Sequence, residues 1–349
     1  MTRPLPLEEL HQRLGATFAP LDGGEIAVPA RYGSVADEVR ALRDGCGLVD
    51  RSWRGRLELL GADRNRFLNA YVTCDVKALA PGQGAYGFFT SPQGRILSDA
   101  VLLALEDRLW VETAPGQEGP LSEHLRKYIL ADRVEIRMLE DMLPLSVIGP
   151  GAKEALGVEP PFELWAHART MVHGTEVELQ KSGQLGAEAY TLWVSASIAG
   201  HLVDRLLENP AVRPVGFQAL EILRTEAGIP RFGTDFGPDN FPQETGIESA
   251  VSYTKGCYLG QEVVARIHYR GGVQKVLRGL VFEGGAVPNP GTPLTFEGRE
   301  AGTVTTVADS RALGRPVGLS ILHRRAAAPG SRLDFEGGQA EVAELPFTG

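Results

Sequence analysis

Cysteine is scarce in this chain. There are three, Cys46, Cys74 and Cys257, and no Cys-x-x-Cys spacing. An odd, unclustered set supplies neither a disulfide framework nor a structural zinc site. It suits a reducing compartment, so a cytoplasmic protein without a resident metal is expected. The seven histidines are scattered, and no His-Glu-x-x-His, Walker loop or Ser/His/Asp order stands out. No apolar run reaches the ~18 residues of a membrane helix, and residues 1–10 lack the apolar core of a secretory signal. Net positive charge is missing too. The formal charge is −9, which removes any general attraction for phosphate backbones and argues against nucleic-acid binding.

Glycine, by contrast, is plentiful, at 42 of 349 residues. That excess predicts many turns and many short strands. Hydrophobic residues make up 43% and charged residues 23%, which is enough apolar material for a packed core. The length allows two or three domains. Cys46 and Cys74 sit among apolar neighbours and read as small core fillers.

The pattern predicts a strand at 56–60, then a helix after Gly61 with Phe67, Leu68 and Tyr71 on one face. Strands at 84–91 and 95–105 are joined by Ser91-Pro92-Gln93-Gly94, a type I turn signal. A strand at 108–113, a helix at 121–130 and a strand at 133–139 follow. From 143 the pattern restarts, with a strand at 145–149, a helix at 152–156, strands near 169–180 and 190–194, and a helix at 197–208. This order suggests ferredoxin-like split βαβ units. A helix at 216–228 stops at Gly228-Ile229-Pro230. Residues 231–254 form a long polar loop, a length that is often functional. After 274 only strands are expected, at 276–282, 293–296, 301–307, 316–322 and 339–343, consistent with a small closed barrel. The expected class is α+β: a body over 1–273, made of two α/β lobes that break near 143, and a C-terminal β-barrel over 274–349.

Three places carry chemistry. Asp99 lies inside the apolar strand Ile96-Leu97-Ser98-Asp99-Ala100-Val101, and a carboxylate there needs a partner or a ligand. Arg224, in Leu223-Arg224-Thr225-Glu226-Ala227-Gly228, either turns to a pocket and forks a carboxylate or lies on the surface beside Glu226. Residues 255–266, Lys-Gly-Cys-Tyr-Leu-Gly-Gln-Glu-Val-Val-Ala-Arg, crowd polar groups around glycines that permit a close backbone approach. Their bland reading is a turn entering a strand at Val263-Val264-Ala265. Residues 255–278 hold five basic groups to one acidic, a local balance of +4. Such an island fits a small anionic ligand or, equally, a solvated face. Gly149-Pro150-Gly151 lacks the third glycine of a dinucleotide motif and reads as an ordinary turn.

The 255–266 string resembles the signature of folate-binding YgfZ-type proteins, relatives of the glycine-cleavage T-protein (aminomethyltransferase) linked to iron–sulfur assembly and repair. Other blocks resemble the same superfamily: Leu59 to Leu68, Gly94 to Asp99, and Leu223 to Gly228. Asp99 matches the second Asp of the T-protein's Gly-Gly-Ile-x-Asp-Asp, and Ser98 replaces the first. The resemblance implies α/β lobes around a central channel that holds tetrahydrofolate, and a C-terminal barrel. It implies folate contacts from Asp99, Arg224, Lys255, Tyr258, Gln261 and Arg266, and chemistry from Asp99 and Cys257. Lys255 and Arg266 would favour a Cys257 thiolate. The T-protein's pterin-holding Glu is matched by Ala187, with Glu188 beside it. The expected function is tetrahydrofolate binding that assists iron–sulfur client proteins; the alternative is folate-dependent aminomethyl transfer.

Overall fold

The computed structural model describes residues 4–183 and 186–347. Residues 1–3 of the stretch read for a secretory signal lie outside it. The chain divides into two compact units, each discontinuous in sequence. Met1–Phe67, Lys77–Ala85 and Ala100–Leu223 form the first; Leu68–Val76, Tyr86–Asp99 and Arg224–Gly349 form the second. Local patterning suggested only continuous boundaries.

The first unit opens with elements outside the expected set: α1 (Glu8–Arg13), β1 (Thr17–Pro20), β2 (Ala27–Arg31), α2 (Val35–Asp44) and β3 (Cys46–Asp50). Strands β1 and β2 are short, and a proline removes a donor from each. On α2 the buried residues include a charge, Glu38. Its carboxylate accepts the backbone N–H groups of Tyr32, Gly33 and Gly216 at 2.7, 3.0 and 2.8 Å. That satisfaction is what permits its burial.

Two runs with split βαβ order follow. The first comprises β4 (Gly55–Leu60), α3 (Arg64–Asn69), β5 (Gly84–Thr90), β6 (Ile96–Ala104), β7 (Arg108–Thr113), α4 (Glu118–Arg126) and β8 (Glu135–Met138). Its sheet order is β5-β6-β7-β4-β8. The second comprises β9 (Met142–Ile148), α5 (Ala152–Leu156), β10 (His167–Val172), β11 (Thr175–Ser182), β12 (Ala189–Ser195), α6 (Ala196–Leu207) and β13 (Val212–Pro214). The stretch expected near 169–180 is a hairpin, turned at His173 and Gly174, both with positive φ, the requirement of a two-residue I′ connection. The second sheet runs β10-β11-β12-β9-β3-β13. Strand β3 is wedged between β9 (antiparallel) and β13 (parallel). One face of this sheet buries Leu145, Val147, Leu192 and Val194 with Leu202, Val203 and Leu206 of α6. Each such side chain contributes about 1.5–3 kcal/mol of burial.

In the second unit, the end of α7 (Phe217–Glu226) leads through the polar loop to α8 (Gln261–Arg270). The segment expected as a strand at Val263-Val264-Ala265 is therefore helix. Seven strands follow: β14 (Lys275–Glu283), β15 (Pro293–Phe296), β16 (Arg299–Thr303), β17 (Thr306–Ser310), β18 (Arg315–His323), β19 (Arg332–Phe335) and β20 (Gly338–Ala343). They form one sheet in the order β16-β15-β19-β20-β14-β18-β17. The sheet curls into a half-barrel, because β16 returns to β18. Ser320 Oγ donates to the Thr303 carbonyl at 2.7 Å, and a Cβ on Gly302 would lie 2.8 Å from the Ile321 carbonyl. The single strand expected at 301–307 is two, β16 and β17. Strand β19 was not among the expected strands, although its four residues alternate exposed and buried.

Among the described residues, no helix is long and apolar enough to cross a membrane.

Candidate folate site

All the candidate site residues belong to the second unit, where they form three local clusters.

Asp99 lies within β6, of which Ile96–Asp99 belongs to the second unit, and it is buried. Tyr86, from β5, donates its hydroxyl to Asp99 Oδ2 at 3.2 Å. Tyr86 begins an edge-to-face run of rings, Tyr86–Phe88–Phe236–Phe232, with centroids 5.5, 5.7 and 5.7 Å apart. A carboxylate beside aromatic rings can accept N–H groups from a flat heterocycle while the rings cover its apolar surface. Ser98, in place of the T-protein's first Asp, donates to the Asp99 carbonyl at 2.9 Å.

Arg224 is buried, not a surface residue. Its Nη1 donates to Asp235 Oδ2 at 2.7 Å and to the Ile229 carbonyl at 3.0 Å; Nη2 donates to Thr306 Oγ1 at 3.0 Å. Asp235 also accepts Arg231 N–H at 2.9 Å and the hydroxyls of Thr305 and Thr306 at 2.6 Å each. Glu226 turns elsewhere, accepting from Ser310 Oγ at 2.6 Å, as two residues off one helix face must. Arg224 thus ties the end of α7, the loop at 229–235 and β17 together.

The third cluster is the 255–266 motif. Gly260, at φ +84°, is the N-cap of α8. Its close neighbour is the hairpin between β5 and β6, since a Cβ there would fall 2.4 Å from the Ser91 carbonyl. The glycine therefore serves packing within the chain, where the sequence suggested ligand approach. Thr90 Oγ1 donates to the Leu259 carbonyl at 2.5 Å, and Gln261 Oε1 accepts Tyr258 N–H at 3.3 Å. Lys255 is buried, and its ammonium donates to the carbonyls of Asn69, Val72 and Cys74 at 2.7, 2.8 and 2.7 Å. It lies 5.2 Å from the Tyr258 ring centroid. Burial lowers the Lys255 pKa to about 8 and raises that of the buried Tyr258 hydroxyl. Arg266 is exposed and pairs with Glu262 at 3.1 Å. The +4 island is split, with Lys255 buried and Arg266, Arg270 and Lys275 exposed. Lys255 is inside, Arg266 has its helical partner, and Arg278 donates to the Ala327 and Leu277 carbonyls.

Cys257 is exposed, whereas Cys46 and Cys74 are buried. Burial pushes both buried thiols up to about 12, so they are poor nucleophiles at neutral pH. The two cations expected to favour a Cys257 thiolate are occupied, Lys255 on carbonyls and Arg266 on Glu262.

In the first unit, Ala187 packs on an apolar core. The Glu188 carboxylate accepts from Tyr190 OH at 2.7 Å and Lys181 Nζ at 3.1 Å, which hold its pKa below the usual range.

Residues 7–255 match the GCVT N-terminal domain, and residues 275–348 match the Glycine cleavage T-protein C-terminal barrel domain. The chain belongs to the glycine cleavage T-protein family. Aminomethyltransferase of Symbiobacterium thermophilum is 29% identical, covering 98% of this chain and 96% of its own. Aminomethyltransferase of Rubrobacter xylanophilus is 32% identical over 92% and 87%. The fold matches the crystal structure of glycine cleavage system aminomethyltransferase T from Bartonella henselae, with a TM-score of 0.91 over 100% of this chain and 98% of that one, at 24% identity. These matches reach the superfamily that the motifs suggested; they do not single out its YgfZ-type branch.

Tyr86, Asp235 and Thr306 were missed by sequence reasoning. Tyr86 had a signal, since it shares the alternation of β5 with Phe88. Asp235 sits in an irregular loop, where no periodicity marks an inward side chain.

Proposed function

We propose that this protein binds tetrahydrofolate and acts as a folate-dependent aminomethyl transferase of the T-protein type. The observation that carries the reading is the buried Asp99 carboxylate, held by Tyr86 at the head of an aromatic run, at the position that matches the family's folate-facing Asp. The aminomethyltransferase names of near-full-length relatives support it. Bound tetrahydrofolate would supply the nitrogen that takes the one-carbon unit. Asp99 accepts a ligand N–H and stabilises positive charge that develops nearby. Tyr86 orients Asp99. Arg224 acts through the loop it holds. Calorimetric titration with tetrahydrofolate tests this. Asp99→Asn is expected to weaken binding by about 1.5–3 kcal/mol, the range of a hydrogen bond to a charged group, with the melting temperature retained. No heat with the parent, or equal affinity in the variant, refutes the site.

Assistance to iron–sulfur clients is a second reading, and the exposed Cys257 favours it. One thiol does not hold a cluster, which typically takes about four protein ligands. Among the described residues no group of three or more His, Cys, Asp or Glu side chains is placed to hold a metal. Such a role would be transient or shared with a partner. Cys257→Ser should then fold and bind tetrahydrofolate normally yet fail to restore iron–sulfur enzyme activity in cells lacking the parent, while Cys74→Ser lowers the melting temperature by burying a hydroxyl. Full restoration by Cys257→Ser, together with aminomethyl transfer by the purified protein, would leave the transferase reading alone.

A further inference from the structure

Strand β5 stands at the end of its sheet, and part of the segment Leu68–Val76 of the second unit lies along it. Val72 forms an antiparallel bridge with Phe89. Thr73, next to it, meets Phe88 twice. The Thr73 N–H donates to the Phe88 carbonyl at 2.9 Å, and the Phe88 N–H donates to Thr73 Oγ1 at 2.8 Å. The fully buried side chain of Thr73 thus stands in for a backbone acceptor. Its hydroxyl proton goes to the Ala250 carbonyl at 2.6 Å, and the Thr73 carbonyl accepts the Ser252 N–H at 2.9 Å. One residue therefore joins β5 to the loop that leads into the 255–266 motif.

The motif grips the same segment. The Lys255 ammonium donates to the carbonyls of Val72 and Cys74, the two that flank Thr73. The contact with β5 is close, for a Cβ on Gly87 would fall 2.7 Å from Cys74 Sγ.

What this segment holds is the ring pair beside Asp99. Residues two apart on a strand share a face, and the Tyr86 ring packs edge-on against Phe88 with centroids 5.5 Å apart. The Tyr86 hydroxyl reaches Asp99 Oδ2 at 3.2 Å. That bond is long for two oxygens, which ordinarily sit ~2.5–3.0 Å apart, so a small shift of the ring breaks it.

We infer that Thr73 is a positioning residue for the folate site. Its hydroxyl fixes where β5 carries Phe88, and so how Tyr86 meets Asp99; Lys255 holds the segment from which it does so. The role rests on the reading of Asp99 as a folate partner. Thr73 itself touches no ligand and acts through Phe88 and Tyr86. A hydroxyl is needed because one atom both accepts from Phe88 and donates to Ala250. Valine keeps the shape and does neither, whereas serine does both.

Fluorotyrosine labelling of the full chain gives a readout that needs no folate. The fluorine NMR resonance of Tyr86, assigned by its loss in Tyr86→Phe, should shift in Thr73→Val and keep the parent position in Thr73→Ser. Calorimetry with tetrahydrofolate, well below the melting temperature of each variant, gives a second. Thr73→Val should weaken binding about fivefold, within the range of one ordinary hydrogen bond, and Thr73→Ser should bind as the parent does. Tyr86→Phe should weaken binding by a similar factor, and adding Thr73→Val to it should cost little more, because both act through one contact. If Thr73→Val does not fold, Thr73→Cys, whose thiol is only a weak donor, should move the same resonance. Thr73 has no positioning role if the Tyr86 resonance stays in place in these variants, if serine fails to restore it, or if the two losses of affinity multiply. A parent that gives no heat with tetrahydrofolate refutes the folate site instead, and the fluorine resonance still decides the role of Thr73.

Discussion

Arg224→Ala is expected to destabilise the second unit by about 3–5 kcal/mol, the usual cost of removing one partner of a buried ion pair. The Arg224 and Asp235 side chains are 5% and 0% exposed. Taking away the guanidinium leaves a buried carboxylate, and it frees the Ile229 carbonyl and Thr306 hydroxyl from a shared donor. The hydroxyls of Thr305 and Thr306 and the Arg231 N–H still reach Asp235, which keeps the loss below that of an isolated charge. Against a typical total stability of about 5–15 kcal/mol, this is a large fraction. Equilibrium denaturation measures it. Asp235→Ala should cost a similar amount, and the double variant less than the sum, because the two residues act as one pair. A loss under about 1 kcal/mol for Arg224→Ala would mean a solvated pair and would return Arg224 to the ligand. For the same reason Asp99→Asn is the cleaner probe of folate binding.

Lys255→Met should cost about 3 kcal/mol or more, since three carbonyls lose their donor at once and each unmet buried acceptor costs roughly 1–3 kcal/mol. Met keeps most of the aliphatic length, so packing changes little. The effect has a pH signature. Burial lowers the folded pKa to about 8, against about 10.4 for an ordinary lysine. Between those values the unfolded chain binds more protons than the folded one, so this residue's contribution to stability rises with pH across that window. The stability gap between parent and Lys255→Met should therefore widen as pH climbs from about 8 towards 10.4. A constant gap would show an ammonium that is solvated rather than caged, and a small loss on substitution would show that the carbonyls find water.

The motif at 255–266 shows what a string of residues can and cannot tell. Its resemblance to a YgfZ-type signature pointed to the T-protein superfamily, which matches over residues 7–255 and 275–348 support without singling out that branch. It did not tell which way each side chain turns. Lys255 faces three carbonyls from residues 69–74, Gly260 faces a hairpin at 91–94, and Gln261 folds back on Tyr258. Cys257 alone of the three cysteines is exposed. The Lys255 and Gly260 outcomes depend on segments far away in the chain, which local spacing does not encode.

Regular local signals survived folding. The turn at Ser91 to Gly94, the helix stop at Gly228 and the α/β order of both runs needed only nearby residues, and each is present: Gly94 N–H bonds to the Ser91 carbonyl at 2.8 Å, and Gly94 and Gly228 have positive φ. What the amino-acid sequence determined by itself was therefore the α+β class and the apolar-strand setting of Asp99, and through its resemblance the superfamily. The tertiary structure alone decided the wedging of β3 between β9 and β13, the discontinuous units, and the burial of Arg224 against Asp235. The physical reason is that the first two are settled by pairing between distant segments, and the third by the demand that buried polar groups find partners, here in an irregular loop where periodicity marks nothing.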